Sequence, residues 1–329
     1  MYGSYAYVSF QAIDGKVTLG DMVMYYQAFQ RVQAFFQGIL SSLAGLYEDN
    51  LFLSNLYEFL DLKQTVPEPD SVKPVPVPMQ EGIALKNVSF QYPESSRKVL
   101  QNISLTIRPG EVVALVGENG SGKTTLIKLL CRLYDPTSGT IAIDGIDLRQ
   151  FAKKALRHEI SIIFQDYVHY QLSGRENIWL GNTSIPLDDE RVIKAAKRSG
   201  ADEVIKKLPQ GYDTLLGKMF AEGCELSIGE WQKVALARAF MHDAQIIVLD
   251  EPTSSMDARA EYEVFRSFRQ LVAGRTAILI SHRFSTVRMA DRIFVLKQGS
   301  IIEGGSHEEL MSQKGIYADL FERQARAYR

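Results

Sequence analysis

The chain has 329 residues, a formal net charge of −2 and two cysteines. That length allows one core domain with additional elements, and the near-neutral charge gives no support for nucleic-acid binding, which favours a basic face. Cys131 and Cys224 lie far apart in sequence, so they give no sign of a disulfide framework or a metal site. They are typical of small core residues in a reducing compartment.

The pattern in residues 1–63 predicts a long helix. Thr18 and Asp21 have the spacing of an N-terminal capping pair. Apolar residues then recur in steps of three and four from Tyr25 to Leu46 and again from Leu53 to Leu60, which places them on one helical face. The stripe lasts about 40 residues, or roughly 60 Å at the helical rise. A helix of that length exceeds a bilayer core of about 30 Å.

The environment of this helix has two interpretations. The sequence contains no run of 18 uncharged apolar residues, so hydropathy alone predicts no membrane span. Asp14 and Lys16 interrupt the apolar stretch that a secretory signal would need. The longest uncharged stretch, residues 32–47, has 16 residues and includes Gln33 and Gln37. Such polar groups suit the inner face of a pore-lining helix in a membrane bundle. A soluble coiled-coil arm would fit the same stripe.

A proline-rich stretch separates this helix from the rest of the chain. Residues 64–80 hold five of the eleven prolines, which predicts an extended, semi-rigid linker. Residues 81–329 then alternate strand-like and helix-like runs, as in an α/β domain. The predicted organisation is therefore a helical region at 1–63, a linker at 64–80 and an α/β domain at 81–329.

A glycine-rich loop follows a strand-like run at 112–116 and precedes a helix-like run at 125–130. Glycines let backbone N–H groups converge on an anion, and the start of the helix adds its positive dipole end. In this pattern the lysine reaches the β- and γ-phosphates and the next hydroxyl binds Mg²⁺, roles that fall to Lys123 and Thr124. The pattern G-x-x-x-x-G-K-[ST] predicts these nucleotide-binding residues: Gly117, Glu118, Asn119, Gly120, Ser121, Gly122, Lys123, Thr124 and Thr125.

A second motif spans residues 225–239. Leu226-Ser227-Ile228-Gly229-Glu230 resembles the LSGGQ signature of the ATP-binding-cassette (ABC) transporter family, and the resemblance covers residues 83–329. It implies a P-loop NTPase fold of the ABC nucleotide-binding type. That fold has a parallel-sheet core, an antiparallel β subdomain and an α-helical subdomain, here preceded by a long transmembrane-type helix.

An acidic pair ends the buried strand-like run at 245–249. An aspartate in this place can hold the Mg²⁺ shell of a P-loop ATPase, which assigns Asp250 to the metal. The adjacent Glu251 can orient or deprotonate the attacking water. A surface acidic pair after a core strand is the structural alternative.

The ABC resemblance implies roles for further residues. Tyr92 matches the aromatic that stacks on adenine, although a core tyrosine at a strand end would look the same. Gln165 matches the glutamine that senses Mg²⁺ and touches the membrane part, and His282 matches the histidine that contacts the γ-phosphate. Asp257 belongs to the loop that crosses to a partner subunit, and Ser227 and Gly229 match the residues that approach the γ-phosphate held by that partner.

Two signature positions depart from the family pattern. Ile228 replaces the first glycine and Glu230 replaces the glutamine. A β-branched residue disfavours positive φ, but Ser227 and Gly229 remain, so we expect Ile228 to be tolerated at this position. We also expect the following helix to begin just after Gly229 and to offer its N-terminus to an anion.

The resemblance places the chain as the C-terminal portion of one half of an exporter. Residues 1–12 would be the tail of the fifth transmembrane helix, and the long helix would be the last one. The expected cofactors are ATP and Mg²⁺, and the expected partners are a second ABC subunit, identical or different, the bilayer and an unknown transported substrate. The expected location is the cell membrane, with the nucleotide-binding domain on the cytoplasmic side.

Two other classes of function are alternatives to the exporter. A soluble ABC ATPase in translation or repair is disfavoured by the single cassette and the long helix at the start. A catalytically silent binding module is disfavoured because Lys123, Asp250, Glu251 and His282 are all present.

Overall fold

The structure, a computed structural model, describes residues 2–62, 65–93, 95–164, 166–220, 222–250, 272–281 and 287–327. The chain divides into two compact units, Met1–Thr65 and Val66–Arg329. The predicted domain boundaries at 63–64 and 80–81 stay predictions.

The first unit consists of two helices, α1 (Tyr2–Ile13) and α2 (Leu19–Leu60). The predicted cap is confirmed, because Thr18 Oγ1 accepts the Asp21 backbone N–H at 3.2 Å and Asp21 Oδ2 accepts the Thr18 N–H at 3.2 Å. Helix α2 has 42 residues, none of them buried. Among the described residues, no helix combines the length and the apolar character needed to cross a membrane.

The second unit contains two sheets. Their strands are β1 (Ile83–Gln91), β2 (Lys98–Ile107), β3 (Val112–Val116), β4 (Ser138–Ile143), β5 (Ile146–Asp147), β6 (Ile160–Ile163), β7 (Ile246–Asp250), β8 (Thr276–Ile280), β9 (Arg292–Lys297) and β10 (Ser300–Gly305). The four-stranded sheet has the order β2-β1-β4-β5 and is antiparallel throughout. The six-stranded sheet has the order β10-β9-β3-β8-β7-β6, and only β10 runs antiparallel to its neighbour.

The parallel strands are buried on both faces. Every residue of β7 and β8 is buried, which explains their continuous aliphatic sequences. Strand β3 alternates between two cores, since Val113 and Leu115 belong to one hydrophobic cluster and Ala114 and Val116 to the other. This double coverage fixes the strand that leads into the glycine-rich loop.

Eight α-helices are described in the second unit: α3 (Lys123–Leu130), α4 (Lys153–His158), α5 (Gly174–Trp179), α6 (Asp189–Ser199), α7 (Ala201–Ile205), α8 (Ile228–Phe240), α9 (His307–Gln313) and α10 (Ile316–Ala327). Helices α5 to α8 pack together between β6 and β7 in the chain, with Val192, Trp231 and Val234 buried in their shared core. The predicted parallel core, antiparallel β part and helical part are therefore confirmed.

Residues 66–80, named the strap here, have fixed hydrogen-bond partners on the second unit. Arg132 Nη2 donates to the Pro67 carbonyl at 2.8 Å, and the Lys73 N–H donates to the Gln150 carbonyl at 2.8 Å. The Met79 N–H donates to Gln245 Oε1 at 2.7 Å. The sequence predicted an extended linker, and in the structure this stretch lies along the α/β unit.

The two cysteines lie in different surroundings. Cys131 follows α3 and is buried, and burial raises the pKa of its thiol to about 12. Cys224 is partly exposed and forms a backbone bridge with Leu216.

Candidate nucleotide-binding site

The glycine-rich loop lies between β3 and α3, as the sequence predicts, and two of its glycines are sterically required. Gly117 has φ +150°, and a Cβ there would lie 2.2 Å from the Leu296 carbonyl oxygen. Gly122 has φ +109°, and its Cβ would lie 3.1 Å from the Val99 carbonyl oxygen and 2.6 Å from the Leu100 side chain. Positive φ and close backbone approach are the conditions that only glycine tolerates.

Lys123 and Ser121 place polar groups at the loop. Lys123 Nζ donates to the carbonyl oxygens of Gly117 at 2.8 Å and Glu118 at 3.0 Å, so the ammonium group lies over the loop. Ser121 Oγ is buried without a hydrogen-bond partner. A buried polar atom of this kind usually signals an absent partner. The lysine, the serine hydroxyl and the start of α3 therefore fit a phosphate group.

Thr124 and Asp250 meet at the same place. Thr124 Oγ1 donates to Asp250 Oδ2 at 2.9 Å, and Asp250 is only 2% exposed. The two residues come from different elements, because Thr124 lies in the first turn of α3 and Asp250 ends β7. A hydroxyl and a carboxylate are hard oxygen ligands, so the pair fits Mg²⁺, which is commonly held by one or two protein groups plus phosphates.

The other predicted catalytic residues follow strands of the same sheet. Strands β6, β7 and β8 are parallel neighbours, so their carboxyl ends lie at one edge, next to the end of β3. In sequence these ends lead to Gln165, Glu251 and His282. Those three residues and Asp257 lie outside the described residues, and their roles stay predictions.

Tyr92 lies beside the start of α3. Its hydroxyl is 3.1 Å from Thr125 Oγ1, and its ring packs edge-on against Phe90 and Tyr134. The ring is partly buried against the core cluster of the antiparallel sheet. Tyr92 is therefore a partly buried core residue, as the structural alternative expects, and it also lies next to the start of α3.

The signature residues form the start of α8. This helix begins at Ile228, and not just after Gly229 as we expected, because Ser227 is the N-cap. Ile228 therefore has helical backbone, is absent from the described non-glycine residues with positive φ, and carries no backbone strain. Ser227 and Ile228 are exposed and Gly229 is half-buried.

Glu230 closes the cap of α8. Glu230 Oε2 accepts hydrogen bonds from Ser227 Oγ at 2.8 Å and from the Ser227 N–H at 2.9 Å, which forms a capping box. The carboxylate thus occupies the N-terminal end of the helix. Sequence reasoning identified Glu230 only as a departure, although the spacing Ser227 to Glu230 is the sequence sign of such a box.

Sequence reasoning missed residues that join the signature helix to the segment after position 165. His169 stacks on Trp231, with ring centroids 4.3 Å apart and planes 2° apart. Tyr167 Oη donates to the Ile228 carbonyl at 3.1 Å, and Trp231 Nε1 donates to Glu225 Oε1 at 2.9 Å. The aromatic residues around Gln165 and the lone tryptophan of the signature were the available signals.

A partly buried arginine, Arg238, binds the same region through its guanidinium group. Arg238 donates to the carbonyl oxygens of Asn177 at 2.9 Å and Val168 at 2.8 Å, and its guanidinium lies 4.9 Å from the centroid of the Tyr170 ring. Burial lowers its pKa to about 10, so it stays charged at neutral pH. Arg238 also lines a cavity of about 410 Å³ between β6 and α8.

These features define a class of protein. A phosphate-binding loop between a parallel strand and a helix, with an acidic residue at the end of another parallel strand, is the site of a P-loop nucleoside triphosphatase. Residues 100–254 match the sequence profile of the family described as ABC transporter. The chain belongs to the ABC transporter family, whose ATP-binding domain hydrolyses ATP.

Relatives extend the likeness over almost the whole chain. The chain is 37% identical to the subtilin transport ATP-binding protein SpaT of Bacillus subtilis, over 94% of this chain and 50% of that protein. It is 38% identical to the ATP-dependent lipid A-core flippase of Syntrophus aciditrophicus, over 97% of this chain and 52% of that protein. The chain therefore spans about half the length of these relatives.

A solved structure of an ABC exporter has the same fold. A bacterial Atm1-family ABC exporter with ATP bound superposes with a TM-score of 0.77 and 32% identity, over 98% of this chain and 55% of that chain. The predicted family and fold class are confirmed.

Proposed function

We propose that this chain binds ATP with Mg²⁺ and hydrolyses it to power export across a membrane, as part of one half of a two-subunit ABC exporter. The observation that carries the proposal is the hydrogen bond from Thr124 to Asp250, because it joins the phosphate-binding helix to the acidic end of a neighbouring strand. The names of the relatives refer to subtilin transport and to lipid A-core flipping, and the substrate of this chain is unassigned.

The loop residues would hold the phosphates. Lys123 would exchange its bonds to loop carbonyls for charge-assisted bonds to phosphate oxygens, which are stronger. Ser121, whose buried hydroxyl has no partner, would gain one. Tyr92 would contact the adenine.

Thr124, Asp250 and Gln165 would hold Mg²⁺, which supplies positive charge to the phosphates when bound. Glu251 would accept a proton from the attacking water or orient it, and His282 would contact the γ-phosphate. Catalysis in this class is mainly positioning and charge stabilisation, so few groups are needed.

The signature residues would serve a second subunit. Ser227 and Gly229 lie at an exposed helix end, which suits contact with the γ-phosphate held by the partner, and Asp257 belongs to the loop expected to cross there. Two chains would then enclose two nucleotides, and hydrolysis would open the pair. The partner is a second ABC subunit, identical or different.

The first unit would belong to the membrane part. We propose residues 1–63 as the end of the fifth and the whole last transmembrane helix, 64–80 as the linker and 81–329 as the nucleotide-binding domain. The location would be the cell membrane, with that domain on the cytoplasmic side. The alternative is an ABC ATPase without a transport role. Carbonate extraction of membranes decides between them, because complete release into the supernatant contradicts the membrane assignment.

The Mg²⁺-dependent ATPase rate tests the proposal, measured against protein concentration with Glu251→Gln as the blank. Active sites shared by two chains require a specific rate that rises with concentration. A rate no higher than the blank at every concentration would contradict the proposed activity.

A further inference from the structure

The two elements that bring Thr124 and Asp250 together are both fastened to the strap at their far ends. Helix α3 carries Thr124 in its first turn, and Arg132 follows its last turn. Strand β7 ends at Asp250, and Gln245 immediately precedes its first residue. Both Arg132 and Gln245 hydrogen-bond to the backbone of residues 66–80.

Arg132 is the anchor behind α3. It is 2% exposed and adopts φ +49°. Its Nη2 donates to the Pro67 carbonyl at 2.8 Å, its Nη1 to the Phe151 carbonyl at 2.8 Å, and its Nε to Asp135 Oδ1 at 3.3 Å. A planar guanidinium with fixed partners in three directions holds its backbone rigidly.

Gln245 is the anchor behind β7. Its Oε1 accepts the Met79 N–H at 2.7 Å, and its Nε2 donates to the Pro76 carbonyl at 3.0 Å and to Glu159 Oε2 at 3.0 Å. Both the oxygen and the nitrogen of the side-chain amide therefore hydrogen-bond to the backbone of the strap. Met79 is itself buried, so this end of the strap is also held by packing.

The first residues of the strap are also bound by Lys153, the first residue of α4. Lys153 Nζ donates to the Val66 carbonyl at 2.7 Å, and Val66 is buried. The Lys153 N–H donates to Glu68 Oε2 at 3.1 Å. The strap is thus attached from its first residue to its penultimate one.

We propose that Arg132 and Gln245 are positioning residues for the Mg²⁺ site, acting through α3 and β7. The inference rests on the proposed function of Thr124 and Asp250. Helix α3 is about 12 Å long and β7 about 17 Å, and both are stiff. A shift at the end next to Arg132 or Gln245 therefore moves the opposite end, which carries Thr124 or Asp250. Mg²⁺ demands nearly ideal octahedral geometry, whereas a flexible lysine can follow a phosphate. Release of the strap therefore weakens metal binding more than nucleotide binding.

Gln245→Met tests this, because methionine has a similar size and lacks the amide. Two measurements are needed on the full chain. Hydrogen exchange at the Met79 amide reports whether the strap is released, and Mn²⁺ titration followed by electron paramagnetic resonance, with saturating ATP, reports metal affinity. Gln101→Met is the matched control, since Gln101 is exposed on the antiparallel sheet and its side chain donates only to the Gln298 carbonyl among the described contacts.

We expect faster exchange at Met79 and Mn²⁺ binding weakened about fivefold, the equivalent of one ordinary hydrogen bond. ATP affinity without metal should change less than twofold in the same variant. Arg132→Lys, which keeps the charge and loses the planar fork, should repeat the pattern. Unchanged Mn²⁺ affinity in Gln245→Met, with or without faster exchange, overturns the inference. Absence of ATP binding in the unmodified chain would instead overturn the proposed function, and the inference with it.

Discussion

Replacing Glu230 with glutamine should tighten the ATP-dependent association of two chains. The Glu230 carboxylate accepts both hydrogen bonds offered by Ser227 at the exposed end of α8. The proposed function brings the partner's γ-phosphate to the same serine. Two anions would then meet at one helix end, and the substitution removes one of them while keeping the size of the side chain.

The magnitude follows from the contact distance. Glu230 Oε2 lies 2.8 Å from Ser227 Oγ. A phosphate oxygen one hydrogen bond beyond the serine would lie about 5 Å from the carboxylate, where two unit charges in water repel by about 0.8 kcal/mol. A dimer contains two such contacts, so the sum is about 1.6 kcal/mol, or roughly 15-fold in the dissociation constant. The free chain loses about 0.5 kcal/mol of helix capping.

Light scattering over a range of protein concentrations measures the association, with ATP and Mg²⁺ and with Glu251→Gln in both versions to suppress turnover. Glu309→Gln is the matched control, because Glu309 forms the same capping box with Ser306 at the start of α9. The advantage of Glu230→Gln should shrink at high salt, because salt screens exposed charges. Equal or weaker association than the parent at low salt would refute the reasoning.

Three further predictions concern the loop and one partly buried histidine. Lys123→Ala should reduce ATP affinity at least tenfold by fluorescence titration, while Lys194→Ala on the exposed face of α6 leaves it unchanged; equal affinities would contradict the phosphate-binding assignment. Gly117→Ala should destabilise the fold by roughly 2–4 kcal/mol in urea, because the new methyl group meets a backbone carbonyl, whereas Gly110→Ala has open space and costs only about 1 kcal/mol; similar losses would mean that φ strain alone matters. Burial is the largest cause that lowers the pKa of His242, and the nearby His158 lowers it further. The contribution of neutral His242 to stability is therefore present above about pH 6.5 and is lost as pH falls through the folded pKa. His242→Gln should flatten the fall of the melting temperature between pH 7 and 5, and an unchanged slope would exclude this residue as the cause.

Local patterns were sufficient wherever one stretch of sequence determines the structure. The cap at Thr18 and Asp21 depends on residues three positions apart, and the loop from Gly117 to Thr124 depends on backbone geometry that few sequences satisfy. Asp250 was predicted because an aspartate at the carboxyl end of a buried aliphatic strand has the place of the residue that holds the Mg²⁺ shell in P-loop ATPases. Whether Glu251 performs the chemistry stays a prediction.

Contacts between distant residues were not predictable. The proline spacing gave the extended form of the strap, but its anchors lie 65 residues away at Arg132 and 166 residues away at Gln245. No periodic pattern encodes such pairs, because each anchor reads as an ordinary polar residue next to a helix or strand. The start of α8 was misjudged by two residues because the glycine was given more weight than the capping preference of Ser227.

The unequal surroundings of the two cysteines make the chain suitable for labelling without mutation. A thiol attacks a maleimide as the thiolate, and the pKa of about 12 and the burial of Cys131 make it inert to such reagents at neutral pH. Cys224 is partly exposed and lies three residues before Ser227. A fluorophore or spin label placed there would sit beside the signature segment, so its signal would follow the approach of a partner in real time while the native sequence stays intact.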